Sequence, residues 1–159
     1  MDHIEYSVES FESNLKSSYI DSSISADSRY SPKIIANDAA QASNLLSVLK
    51  SELASCDRFD FAVAFIADSG LQALIEALNA LRDRGIPGRF LTSTYLNFNS
   101  PQALRKLLEY QNIEVRVYQG NMHAKGYLFD KGDLSTIIIG SANLTQTALT
   151  CNKEWNVLF

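Results

Sequence analysis

Phe59-Asp-Phe-Ala-Val-Ala-Phe-Ile66 is a near-continuous aromatic and aliphatic run of strand length, the pattern of a parallel strand covered on both faces. C-terminal to it, Asp68 offers an N-cap, and Leu71, Leu74, Ile75, Leu78 and Leu81 recur at helical spacing until Gly85 supplies a stop. Residues 89–92 then read as a strand, 101–110 as a helix with proline in its first turn, and 113–118 as a third strand. N-terminal to the run, Lys33-Ile34-Ile35 is a short apolar piece, and Leu45, Leu46, Leu49 and Leu53 put a helix within 39–55. Strands alternating with helices imply right-handed crossovers and a mostly parallel α/β sheet with helices on both faces. After Tyr118 the strand candidates 122–129, 136–139 and 154–159 are separated only by turns such as 130–133, which suits an antiparallel hairpin.

With 159 residues, 46% hydrophobic and 20% charged, the chain fits one ordinary globular domain. Residues 1–30 read as a polar, serine-rich N-terminal extension with a weak helix signal at 8–15, and 31–159 as the folded domain. The last expected strand runs into Phe159 without a closing turn, which suits either a polypeptide that continues or a terminal edge strand. No apolar run approaches the roughly 20 residues that span a bilayer, so the expectation is a cytoplasmic protein without membrane attachment. Cys56 and Cys151 stand far apart without metal or redox spacing and are read as reduced and buried. His3 and His123 cannot build a multi-histidine centre, so no metal or other cofactor is expected. The net charge of −4 argues against a protein that wraps nucleic acid. The balance is uneven: residues 1–80 carry net −7 and residues 81–159 net +3, which permits a local cationic face in the second half.

The chemistry concentrates in His123-Ala-Lys-Gly-Tyr-Leu-Phe-Asp130, then Gly140-Ser-Ala-Asn143 and Asn152-Lys-Glu154. In an extended 122–129 segment, His123 and Lys125 project from one face together with Tyr127 and Phe129. An imidazole and an ammonium about 7 Å apart along a strand can address one anion. Tyr127 and Phe129 share that face by parity and are read as core. Alternation puts Asp130 on the opposite face, in a structural hydrogen-bonding role. Ser141 and Asn143 can hold phosphate oxygens, or Asn143 can cap the helical turn at 144–149. Segments 68–70 and 92–95 follow strands at the end where α/β sheets bind ligands; the first is read as helix capping and the second as a substrate contact. Arg105 and Lys106 read as solvated surface charge.

This pattern resembles the phospholipase D superfamily, whose signature is His-x-Lys, four residues, Asp, then Gly-Ser-x-Asn. Here the stretch between Asp130 and Gly140 is about three residues longer than usual, which suggests a longer hairpin turn around 131–133. Glu154 stands where members carry a carboxylate after the Asn. Segments 30–35, 59–66, 91–95 and 143–149 extend the resemblance to the phospholipase D-like module of bacterial DEAD/DEAH-box helicase-related proteins and restriction-type nucleases. No Gly-x-x-x-x-Gly-Lys-[Ser/Thr] loop is present, so no ATP chemistry belongs to this chain.

The resemblance implies a phospholipase D-like sandwich and a metal-independent phosphodiesterase or nuclease acting on nucleic acid, DNA rather than RNA, through a phosphohistidine. It implies His123 as nucleophile or acid, Lys125 and Asn143 on the phosphate oxygens, Ser141 orienting them, and Glu154 holding the imidazole. Two His/Lys sets are needed and one chain supplies one, because His3 has no lysine two residues on. A homodimer pairing two His123 rings is therefore expected, with a helicase or ATPase as a further partner. The alternative is a catalytically idle nucleic-acid-binding or targeting module.

Overall fold

The computed structural model describes residues 3–19, 23, 31–38 and 44–159. Its elements are α1 (His3–Tyr19), β1 (Lys33–Ala36), α2 (Leu45–Ser55), β2 (Arg58–Val63), α3 (Asp68–Asp83), β3 (Gly88–Ser93), α4 (Pro101–Leu107), β4 (Ile113–Tyr118), β5 (Lys125–Lys131), β6 (Leu134–Gly140), α5 (Gln146–Thr150) and β7 (Trp155–Leu158). They form an α/β domain around one seven-stranded mixed sheet in the order β1-β7-β6-β5-β2-β3-β4. Only β2–β3 and β3–β4 are parallel; the four other pairings are antiparallel. The sheet is thus mixed, but not mostly parallel: after β4 the chain crosses past β3 and β2 to lay β5 antiparallel beside β2, and β6 and β7 follow antiparallel, each beside the strand before it.

Phe61 is the centre of the core. Its ring meets Tyr127 at 4.9 Å, Phe59 and Phe90 at 5.2 Å and Phe129 at 5.6 Å, all edge-to-face, geometry that adds about 0.5–1.5 kcal/mol per pair beyond burial. These rings lie on the sheet face that packs with Leu45, Leu49 and Leu53 of α2 and Leu71, Leu74, Leu78 and Leu81 of α3 in one buried cluster. The expectation that the 59–66 run is covered on both faces fails. Burial alternates along β2, and Asp60 on the other face pairs with Arg89 at 2.5 Å and Arg58 at 3.1 Å. Leu91, Leu128 and Ile139 are exposed. α1 reaches that side through Phe11, which lies 6.2 Å from Phe159 and lines a cavity of about 460 Å³ with Ile137 and Ile139.

Local chemistry sets the boundaries. α2 begins at the Asn44 cap, whose side chain accepts from Ser47 N; residues 39–43 of the expected helix lie outside the described residues. Asp68 does not cap α3: Ala67 holds the N-cap position, and Asp68 accepts from Ser100 Oγ at 2.8 Å. α4 stops at Leu107 rather than Tyr110, and its Lys106 pairs with Glu109. The β5–β6 hairpin is tight, since Lys131 pairs with Leu134 across Gly132 and Asp133, with Gly132 at φ +66°, the primed-turn geometry that matches strand twist. The additional residues therefore lengthen the strands instead of enlarging the turn. Cys56 is buried, and burial raises its thiol pKa, whereas Cys151 is exposed, contrary to expectation.

Candidate active site

The parallel strands end where the motif begins. Past β2 the chain runs between two segments that it hydrogen-bonds in turn: Ala64 N donates to Ala124 O at 3.1 Å, Leu144 N to Phe65 O at 3.1 Å, and Ala67 N to Leu144 O at 3.0 Å. Phe65 N donates to Asn143 Oδ1 at 3.2 Å. The end of β2 thus fixes the separation between the His123 segment and the Asn143 segment.

β5 starts at Lys125, three residues later than the 122–129 expectation, so His123 precedes the strand. His123 is exposed while Lys125 is 7% exposed. The two side chains do not alternate along one strand face, yet they meet: Lys125 Nζ lies 2.8 Å from His123 Nδ1 and 3.0 Å from Nε2, and donates to His123 O at 2.8 Å. An ammonium has only donors, so the ring nitrogen that receives its proton carries a lone pair. Burial pushes the Lys125 pKa down, and the negative charge of Glu154 partly opposes this. Tyr127 and Phe129, on the same strand face, are fully buried in the core. Asp130 accepts from Ser135 Oγ at 2.8 Å, a structural role on the opposite face.

The second half of the motif is occupied by the scaffold. Ser141 Oγ donates to Glu154 Oε2 in a short hydrogen bond and accepts from Trp155 N at 3.0 Å. Glu154 therefore holds Ser141, not the imidazole, within one chain, and Ser141 has its hydroxyl proton engaged. Asn143 caps no helix: Thr145 is the N-cap of α5 and accepts from Ala148 N. With its Oδ1 on Phe65 N, the Asn143 amide keeps its NH2 end as a donor. Gly140 is required sterically, because a Cβ there would collide with Trp155 O and Asn156 Oδ1. Tyr127 OH donates to Ala142 O at 2.9 Å, so the core of β5 also holds this loop, and burial raises the phenol pKa far above its ordinary value.

Aromatic rings surround His123, most of them unexpected from sequence. Tyr95 lies 5.6 Å and Phe65 5.9 Å from the imidazole, each edge-on, and Phe98 is 5.1 Å from Phe65. The 92–95 segment therefore reaches the site through Tyr95, while Thr92 and Ser93 are buried. Among the described residues no three His, Cys, Asp or Glu side chains gather as a metal site, and no helix is long and apolar enough to cross a membrane.

The family model "Cardiolipin synthase, PLD-like domain" matches residues 49–159, which hold every motif residue above. The chain belongs to the phospholipase D superfamily. This phospholipase D-like domain shares its fold with NucT from Helicobacter pylori (TM-score 0.66, 20% identity, covering 80% of this chain and 83% of that one). It is similar in fold to Nuc from Salmonella typhimurium, a phospholipase D family member (0.57, 20%, 80% and 82%). Phosphatidylserine synthase from Haemophilus influenzae matches over 80% of this chain but 34% of its own (0.57, 14%). No curated protein sequence matches. The expected helicase association finds no support in these matches.

Proposed function

We propose that the domain is a phosphodiesterase that cleaves nucleic-acid phosphodiesters without a metal, through a phosphohistidine, with the site completed by a second copy of the chain. The observation that carries this reading is the contact of Lys125 Nζ with both ring nitrogens of an exposed His123, beside an Asn143 amide whose free end can donate. A ring nitrogen of His123 attacks phosphorus, forming the N–P bond as the P–O bond to the leaving group breaks. The His123 of the second copy gives its proton to the departing oxygen. Water then attacks the phosphohistidine, losing its proton to that second imidazole, and the N–P bond breaks. Lys125 and the Asn143 NH2 neutralise charge on the non-bridging oxygens, the preorganised electrostatics that such transfer requires. Ser141 and Glu154 position the Asn143 loop rather than touching phosphate.

Cleavage of a single-stranded oligonucleotide and of bis(p-nitrophenyl) phosphate in excess EDTA tests the reading. The expected result is turnover that His123→Ala reduces by at least about 10³-fold, with a dimer in sedimentation at micromolar concentration. Nucleic-acid binding without cleavage would establish the idle-module alternative. A strict monomer with full activity would remove the shared site.

A further inference from the structure

The turn between β3 and α4 displays apolar side chains on a frame built to hold them. Phe98 is 62% and Leu96 56% exposed, while Leu96 and Asn97 adopt φ of +54° and +53°, a conformation that costs a leucine about 1–2 kcal/mol. Asn99 pins the turn: its Oδ1 accepts from Ile66 N at 2.8 Å and Thr92 Oγ1 at 2.9 Å, and its Nδ2 donates to Ser93 O at 2.6 Å. Core packing does not account for the outward side chains, since neither Leu96 nor Phe98 belongs to the buried cluster or packs against it. Phe98 leans on Phe65 at 5.1 Å and an interplanar angle of 65°, and Phe65 in turn lies 5.9 Å from His123. An exposed aromatic ring therefore stands one ring away from the imidazole, linked to it through Phe65.

We propose that this turn is a stacking shelf on which Phe98, backed by Phe65, takes the face of one unpaired base of the strand whose phosphate lies at His123 and Lys125. The proposal rests on the phosphodiesterase reading above and adds the residue that selects a base-bearing strand. Stacking on an aromatic side chain is sequence-tolerant, worth about 1–3 kcal/mol per base, which corresponds to roughly 5- to 150-fold in affinity. Tyr95, edge-on to His123 at 5.6 Å, orients the imidazole and is not part of the shelf.

The test measures fluorescence anisotropy of a labelled single-stranded oligonucleotide and of an abasic strand of equal length and charge. Both are bound to His123→Ala dimers so that neither is cut. The expected preference for the base-bearing strand, roughly tenfold, falls to within twofold in Phe98→Ala and returns in Phe98→Trp. Equal binding of both strands before substitution overturns the shelf and leaves the phosphodiesterase reading standing; binding of neither removes both. Dissociation of the Phe98→Ala dimer, or stronger capture of the protein by anionic lipid vesicles than by either strand, also overturns the shelf, reassigning the ring to an interface or a lipid.

Discussion

At the start of β5, Lys125 reaches an exposed imidazole whose nitrogens have no other partner among the described residues. On the β6–β7 side, Ser141 is fixed between Glu154 and Trp155, and Asn143 gives its oxygen to Phe65. The same family signature thus contains two different kinds of residue. One half keeps its chemical capacity open and lies in or over a desolvated corner; the other half uses most of its hydrogen bonds to hold a loop in shape. Substitutions of His123 and Lys125 should alter rate more than stability, substitutions of Ser141 and Glu154 should do the reverse, and Asn143 belongs to both kinds.

Lys125→Met gives the sharpest separation. Turnover should fall by about 10²-fold or more, since a charge donor to the phosphoryl oxygens is removed, while melting temperature stays equal or rises because a buried ammonium is replaced by an apolar chain. The pH dependence has a defined sign. The folded pKa of Lys125 lies below its ordinary value, so above it the unfolded chain binds more protons than the folded one. Wild-type stability should therefore rise relative to Lys125→Met as pH climbs between the folded and unfolded lysine pKa values, checked by chemical denaturation across that range. A rate loss matched by an equal loss of stability would break the contrast.

Ser141→Ala and Glu154→Gln should each cost about 1–2 kcal/mol in urea denaturation, by loss or weakening of a charge-assisted hydrogen bond, with turnover reduced by about tenfold through the displaced loop. Should Glu154→Gln instead lower the rate by a thousandfold at unchanged stability, the carboxylate belongs with the open half, acting on an imidazole of the second copy. The smallest effect is expected at Tyr127→Phe: about 1 kcal/mol and a few-fold in rate, since Ala142 O loses one donor from the core. Because the folded phenol pKa is raised, the folded state retains its proton longer, and stability from this group is lost as pH rises above the ordinary tyrosine value. The variant should lose less stability than wild type in that alkaline range.

Much of the fold was readable because periodicity reports burial. The leucine spacing of α2 and α3 and the alternation of β4 correspond to the observed elements. What misled was apolar content mistaken for two-sided burial at 59–66. Asp60 in that run was the signal, and it lies on the open face in an ion pair with Arg89. That pair holds the Asp60 carboxyl below its ordinary pKa. His123, Lys125, Ser141, Asn143 and Glu154 were singled out as candidates by the family resemblance that their pattern carries, whereas their contacts were not legible from it. Strand parity could not show that β5 begins at Lys125 and that the long lysine side chain folds back over the preceding residue. Capping preference drew Asn143 toward α5, but Thr145 took that position and left Asn143 to the backbone of Phe65. Phe65 and Phe98 gave no local signal, since proximity to His123 arises only when the ends of β2 and β3 are brought side by side.

The tight reversal at Gly132 and Asp133 lies at the far end of β5, roughly 24 Å along the strand from Lys125 at about 3.4 Å per residue. Whatever is grafted there, whether a fluorophore, an affinity tag or a tether to a surface, hangs from a seven-residue strand whose other tip is Lys125, in contact with the imidazole of His123. Such an attachment offers a handle for watching the domain work while leaving its chemistry untouched.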